Sequence, residues 1–137
     1  MIKILANDGI DAAGKKIFDA AGFSVSTDKV PQEKLAEALK NFDAILVRSA
    51  TTVRTDVIDA CPNLKVIGRA GVGMDNIDVK YAREKGLAVI NTPAASSQSV
   101  AELVFAHLFT GVRMLYDANR NMPACSSKET FEKLKKS

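Results

Sequence analysis

Val66-Ile67-Gly68-Arg69-Ala70-Gly71-Val72-Gly73-Met74-Asp75-Asn76-Ile77-Asp78 decides how the rest of the chain is read. Residues 64–67 form a short, mostly apolar run with two β-branched side chains, which predicts a buried strand. Three glycines follow within six residues. Glycine there admits positive φ and lets another molecule approach bare backbone. Asn76 and Asp78 can each cap the helix predicted over 79–85. A strand that breaks into glycines and then a helix presents backbone N–H groups suited to a carboxylate or phosphate. Gly71 and Gly73 occupy the first two positions of a G-x-G-x-x-G dinucleotide fingerprint, but Asn76 stands at the third. The strand predicted next, 87–90, ends in Asn91 and not in an acidic residue. A ligand-free glycine turn is the plain alternative. The favoured reading is an anion site on the Val72 and Gly73 amides, beside Gly71. Gly73 then refuses a β-carbon if its amide meets the anion closely or its φ is positive.

Outward from this stretch, five strands alternate with four helical patterns and no repeat interrupts them. The strands are predicted over 2–6, 23–26, 43–47, 64–67 and 87–90. Residues 11–21 carry Ala12, Ala13, Ile17, Ala20 and Ala21 near helical spacing, with Gly22 as C-cap. Pro31 opens a second helix whose apolar face is Leu35, Ala38 and Leu39. Thr55 caps a third, which Pro62 stops. Such alternation predicts an α/β fold, a parallel sheet with helices on both faces. Ligands on these sheets sit at the carboxyl ends of strands. Three of those ends carry chemistry: Arg48-Ser49, residues 70–76, and residues 91–99.

The longest helix is predicted over 99–119. Ser99 and Glu102 form a capping box, and apolar residues then surround the axis as far as Leu115. A helix apolar on all sides is expected to pack on a second domain or subunit. Ser126 and Glu129 can cap a further short basic helix.

The chain has 137 residues, enough for one domain with a real core. Its net charge of +3 is spread, apart from Lys133, Lys135 and Lys136, so nucleic acid is not an expected partner. Cys61 and Cys125 lack metal-ligand spacing and suggest no disulfide framework, which fits a reducing cytoplasm. Residues 1–5 run directly into a strand, so no signal peptide is expected. The apolar-rich run 103–112 is too short to span a bilayer.

Three stretches together resemble the D-2-hydroxyacid dehydrogenases, most of all the members that oxidise 3-phosphoglycerate in serine biosynthesis. They are Ala44-Ile45-Leu46-Val47-Arg48-Ser49-Ala50-Thr51, residues 66–78, and Val89-Ile90-Asn91-Thr92-Pro93 followed by Ser99-Val100-Ala101-Glu102-Leu103. The resemblance implies a flavodoxin-like, doubly wound, five-stranded substrate-binding domain over 1–98. It implies an interdomain and interface helix over 99–119, and a polar tail with a short helix over 120–137 that stops before an NAD-binding Rossmann domain. It assigns the substrate phosphate to Arg48 with Ser49 beside it, and the substrate carboxylate to the amides at Val72 and Gly73. Val72 and Val100 would lie near the NAD nicotinamide. The family's catalytic Arg, Glu and His lie beyond this chain, so no catalytic residue is expected within it. Related enzymes often carry Asn at or near Ser96. A homo-oligomer in the cytoplasm, taking a phosphorylated 2-hydroxy acid and neither nucleic acid nor membrane, completes the expectation.

Individual side chains fit this picture unevenly. Arginine's fork suits phosphate, which favours Arg48. Arg69 also ends a strand, but exposure or an ion pair is expected of it. His107, the only histidine, sits mid-helix without a carboxylate four residues away, which makes it an interface or core residue and not a base. Asp8 and Asp75 are expected as turn and cap residues. A phospho-signalling receiver module shares the strand–helix alternation, yet needs Asp after the third strand and Lys after the fifth, where Arg48 and Asn91 stand. A stand-alone binding or interaction module that lost catalysis is the other alternative.

Overall fold

A computed structural model describes residues 1–124 and 127–136. The elements run β1 (Lys3–Ala6), α1 (Ala12–Ala20), β2 (Ser24–Ser26), α2 (Gln32–Leu39), β3 (Ala44–Val47), α3 (Thr55–Ala60), β4 (Val66–Arg69), α4 (Val79–Glu84) and β5 (Ala88–Asn91). Three helices follow: α5 (Ser97–Val112), α6 (Leu115–Asn121), and, after a 3₁₀ turn at Met122–Ala124, α7 (Lys128–Lys136). The five strands form one parallel sheet in the order β2-β1-β3-β4-β5. That order is the flavodoxin-like, doubly wound one, with its switch point between β1 and β3.

One face of the sheet holds the core. Leu5, Ile45, Val47, Ile67 and Val89 point toward Leu35 and Leu39 of α2, Val57 and Ile58 of α3, and Ala82 of α4. Strands this apolar belong to sheets covered on both sides. On the opposite face, Phe18 of α1 shares a groove with Leu46, Gly68 and Ile90. Ile90 there is 57% exposed.

Helix ends explain several boundaries. Asp11 caps α1 by accepting the Ala13 N–H at 2.8 Å. At its other end Gly22 takes φ 79°, with Gly22 N–H donating to Asp19 O and Phe23 N–H to Phe18 O. This is the paired termination that only a left-handed residue allows, and Gly86 repeats it after α4. Other expected caps move. Pro31 is the N-cap residue of α2 and not its first helical one. Thr55 begins α3 without capping it; the Asp78 carboxylate accepts its N–H instead. Asp78 is therefore drawn away from α4, whose start has no side-chain cap.

The chain divides into two compact units, Met1–Ala95 and Ser96–Ser137. The second differs from the single helix expected over 99–119. α5 begins at Ser97, which puts Ser99 inside the first turn, and Glu102 Oε1 accepts from Gln98 Nε2 at 2.8 Å, so the expected capping box does not form. Met114, at φ 51° and ψ 33°, is left-handed and separates α5 from α6. No α5 side chain is buried, and Leu103, Val104, Phe105, Leu108 and Phe109 are all exposed. Ser126, the cap expected for α7, lies outside the described residues, as does Cys125. Ser127 Oγ accepts the Thr130 N–H at 3.2 Å. No helix among the described residues is long and apolar enough to cross a membrane.

Candidate functional site

The carboxyl ends of β1, β3, β4 and β5 open on a shared cavity of about 740 Å³. Asp8 and Gly9 reach it from β1, Arg48 from β3, Arg69 and Ala70 from β4, and Asn91 and Thr92 from β5. Parallel strands place these residues together because all carboxyl ends lie on one edge of the sheet.

Arg48 is the first residue beyond β3. It is exposed, and its guanidinium hydrogen-bonds no described residue. Its backbone is held instead. Asp8 Oδ2 accepts the N–H groups of Arg48 at 2.6 Å and Thr51 at 3.1 Å, and Asp8 Oδ1 accepts the Thr51 hydroxyl at 2.6 Å. The turn role expected of Asp8 is thus incomplete, since its carboxylate organises a loop 40 residues away. Burial raises the Asp8 pKa, but the Thr51 hydroxyl and the N–H groups of Arg48, Thr51 and Ala50 outweigh burial and hold it below the usual 3.8. Asn7 donates to Thr51 Oγ1 at 2.8 Å, and both residues are buried, each 3% exposed. Ser49 is exposed beside Arg48 and does not line the cavity.

The glycine loop lies next to this one. Gly71 has φ 156°, and a β-carbon on it would collide with the Arg69 guanidinium. Gly73 has no positive φ, and its β-carbon would meet only Asp75 Oδ2 at 3.1 Å. The positive φ therefore belongs to Gly71 and not to Gly73, which leaves close approach of an anion as the one expected reason for glycine at 73. The Val72 and Gly73 N–H groups make no hydrogen bond to a described residue, whereas Val72 O accepts Asn91 Nδ2 at 2.7 Å. Val72 is 50% exposed. Asn76 caps nothing: its Nδ2 donates to Arg48 O at 2.9 Å and Thr51 O at 2.7 Å.

Arg69 departs from expectation. It is half-buried, forms no ion pair among the described residues, and its Nε is buried without a partner. A guanidinium in that state favours an anion beside it, since buried donors are ordinarily satisfied. His107 is exposed on α5, and Val100 is exposed in the same helix. No group of three or more metal-ligating side chains occurs among the described residues.

A dinucleotide does not fit the glycine loop. Asn76, at the third glycine's place, has its side chain committed to residues 48 and 51. Asp75 and Asp78 precede α4, where a pyrophosphate would need a helix start free of negative charge.

Comparison with known proteins bears on the same residues. The family model for the D-isomer specific 2-hydroxyacid dehydrogenase catalytic domain matches residues 4–136. D-3-phosphoglycerate dehydrogenase of Methanocaldococcus jannaschii is 43% identical over 122 residues, which is 89% of this chain and 23% of that protein. Hydroxypyruvate reductase of Thermotoga maritima is 40% identical over 112 residues, 81% of this chain and 37% of that protein. The structure of NAD+-bound 3-phosphoglycerate dehydrogenase from Entamoeba histolytica superposes with a TM-score of 0.67 at 30% identity, over 82% of this chain and 39% of that one. The chain thus spans well under half the length of these relatives. With the parallel sheet, its loaded carboxyl edge and a family match over nearly every residue, the chain belongs to the D-isomer specific 2-hydroxyacid dehydrogenases.

Proposed function

We propose that this chain is the substrate-binding portion of an NAD-dependent dehydrogenase that interconverts 3-phosphoglycerate and 3-phosphohydroxypyruvate. The observation that carries the reading is the pair of arginines, Arg48 and Arg69, at one cavity, with neither paired to an acid among the described residues. Two unpaired guanidiniums suit a phosphate dianion, which accepts forked, charge-assisted hydrogen bonds. Arg48, with Ser49 beside it, takes the phosphate. The free N–H groups of Val72 and Gly73, set by the turn at Gly71, take the carboxylate. The substrate's C2 then lies between them, toward the part of the enzyme that holds the nicotinamide, with Val72 at its margin. NAD supplies the hydride acceptor; the residues here orient the hydroxy acid and do not cradle the dinucleotide. Assembly as a homo-oligomer in the cytoplasm, through the apolar surface of α5, belongs to the same reading.

The test is an NMR titration of the chain with 3-phosphoglycerate, inorganic phosphate and D-glycerate. The expected result is that phosphate shifts the resonances of loop 48–51, glycerate shifts Val72 and Gly73, and 3-phosphoglycerate shifts both. Arg48→Ala is expected to weaken 3-phosphoglycerate by about 1.5–3 kcal/mol, the scale of a hydrogen bond to a charged group. Equal affinity for D-glycerate and 3-phosphoglycerate, unaffected by Arg48→Ala, would instead favour an unphosphorylated substrate. That outcome has a precedent in the name of the Thermotoga maritima relative, a hydroxypyruvate reductase.

A further inference from the structure

Nothing among the described residues grips the Arg48 guanidinium, so the place of its fork depends on the backbone beneath it. That backbone is gripped from two sides. Asp8 Oδ2 accepts the N–H of residue 48 and the N–H of residue 51. Asn76 Nδ2 donates to the C=O of residue 48 and the C=O of residue 51. The two side chains are complementary in the only way that satisfies both edges of the loop. An ionised carboxylate is purely an acceptor, and an amide NH₂ supplies two donors.

We infer that Asp8 and Asn76 are paired positioning residues that lock loop 48–51 to loop 71–76, and so set the spacing between a phosphate subsite and a carboxylate subsite. The inference rests on the proposed division of the substrate between Arg48 and the Val72 and Gly73 amides. Asn76 is the joint, because it belongs to the glycine loop while its side chain holds the arginine loop. The lacing continues beyond it: Val53 N–H donates to Asn76 O at 2.9 Å, and Asp78 N–H to Val53 O at 3.1 Å. Val53 and Ile77 form a parallel bridge between them, and both are buried. On the other side Thr51 has its hydroxyl direction dictated, since it accepts from Asn7 Nδ2 and donates to Asp8 Oδ1. A loop with residues 48 and 51 tied at both N–H and C=O has little room to shift. The ligand class recognised is one with two anionic ends on a short carbon chain. A ligand with a single anionic end engages one subsite alone and gains nothing from the spacing between the two.

The distinguishing experiment compares three ligands on Asp8→Asn, Asn76→Ala and Arg48→Ala chains: 3-phosphoglycerate, inorganic phosphate and D-glycerate. Asn76→Ala and Asp8→Asn are each expected to weaken 3-phosphoglycerate about five- to tenfold, the scale of one or two lost hydrogen bonds. Phosphate and D-glycerate are expected to change less than about twofold, since phosphate meets only the arginines and D-glycerate only the glycine-loop amides, and neither spans the two subsites. Amide exchange at residues 48 and 51 is expected to speed up in Asp8→Asn. Thr51→Val, which keeps the β-branched shape and removes the hydroxyl, repeats the test if either other variant melts too low. Equal weakening of all three ligands, or no weakening of 3-phosphoglycerate where Arg48→Ala does weaken it, overturns the positioning role and leaves the substrate assignment standing. Arg48→Ala with no effect on 3-phosphoglycerate overturns the substrate assignment itself, and this inference with it.

Discussion

Replacing Gly71 by Ala tests whether the glycine loop is shaped by one residue. Gly71 has φ 156°, a conformation that residues with a β-carbon rarely adopt. Two hydrogen bonds oppose relaxation: Gly71 N–H to Arg69 O at 3.0 Å and Thr92 N–H to Gly71 O at 3.1 Å. Holding a side-chain residue in such a region costs about 1–3 kcal/mol. The new methyl also takes the space of the Arg69 guanidinium, which is the end of a flexible chain and can swing away at little further cost in stability. In a unit the size of Met1–Ala95 the backbone term lowers Tm by roughly 4–24 °C, at about 4–8 °C per kcal/mol. Gly73→Ala is the control. Its φ is not positive and its only close neighbour, Asp75 Oδ2, can turn aside, so a change within about 0.5 kcal/mol is expected. Thermal melts followed by phosphate titration read both effects, because displacing Arg69 should also weaken phosphate binding in Gly71→Ala. If Gly71→Ala melts with the wild type, or Gly73→Ala melts as low as Gly71→Ala, then Gly71 does not shape the loop as argued.

Acid should find the Asp8 clamp. With its folded-state pKa depressed, Asp8 contributes stability that is complete above its unfolded value near 3.8 and lost as pH falls through the lower folded value, so the acid limb of a Tm–pH profile should be shallower in Asp8→Asn than in the wild type; identical limbs would refute it. Ile67→Ala, on β4 with no exposed surface, should lose about 2–5 kcal/mol in urea melts, whereas a loss below 1 kcal/mol would mean that the core is looser than described. Mixed with 3-phosphoglycerate and NAD, the chain should produce no NADH absorbance, because His107 stands alone mid-helix and the glycine loop offers no dinucleotide cradle; turnover above background would overturn that reading.

Elements that depend on near neighbours are legible along the chain. Strands declare themselves where β-branched and apolar residues run together, as in 44–47 and 66–67, and helix ends where Gly22 and Gly86 stop them. Alternation of strand and helix leaves a parallel sheet as the consistent arrangement, and its carboxyl edge then brings Arg48 and the glycine loop to one end of the sheet. Capping is less legible. Thr55, Asp78 and Ser99 all have capping chemistry, yet a side-chain oxygen goes to whichever donor folding brings nearest, and for Asp78 that donor is Thr55 N–H, across a loop.

The roles of Asp8, Asn76 and Arg69 emerge only in the folded molecule. Asp8 and Thr51 are separated by 43 residues and Asn76 and Thr51 by 25, so nothing in the local pattern connects them. By sequence Asn76 is a cap candidate standing where a third glycine would be; in the fold it is the amide that ties two loops together. An arginine at a strand end is expected to face solvent or an acid, but strand β4 delivers Arg69 beside Gly71, where the absent β-carbon gives its guanidinium room and no described carboxylate reaches it. Backbone propensity acts over a few residues and can be read along the chain. Hydrogen-bond partnership between side chains depends on distances that exist only once the sheet has aligned its strand ends.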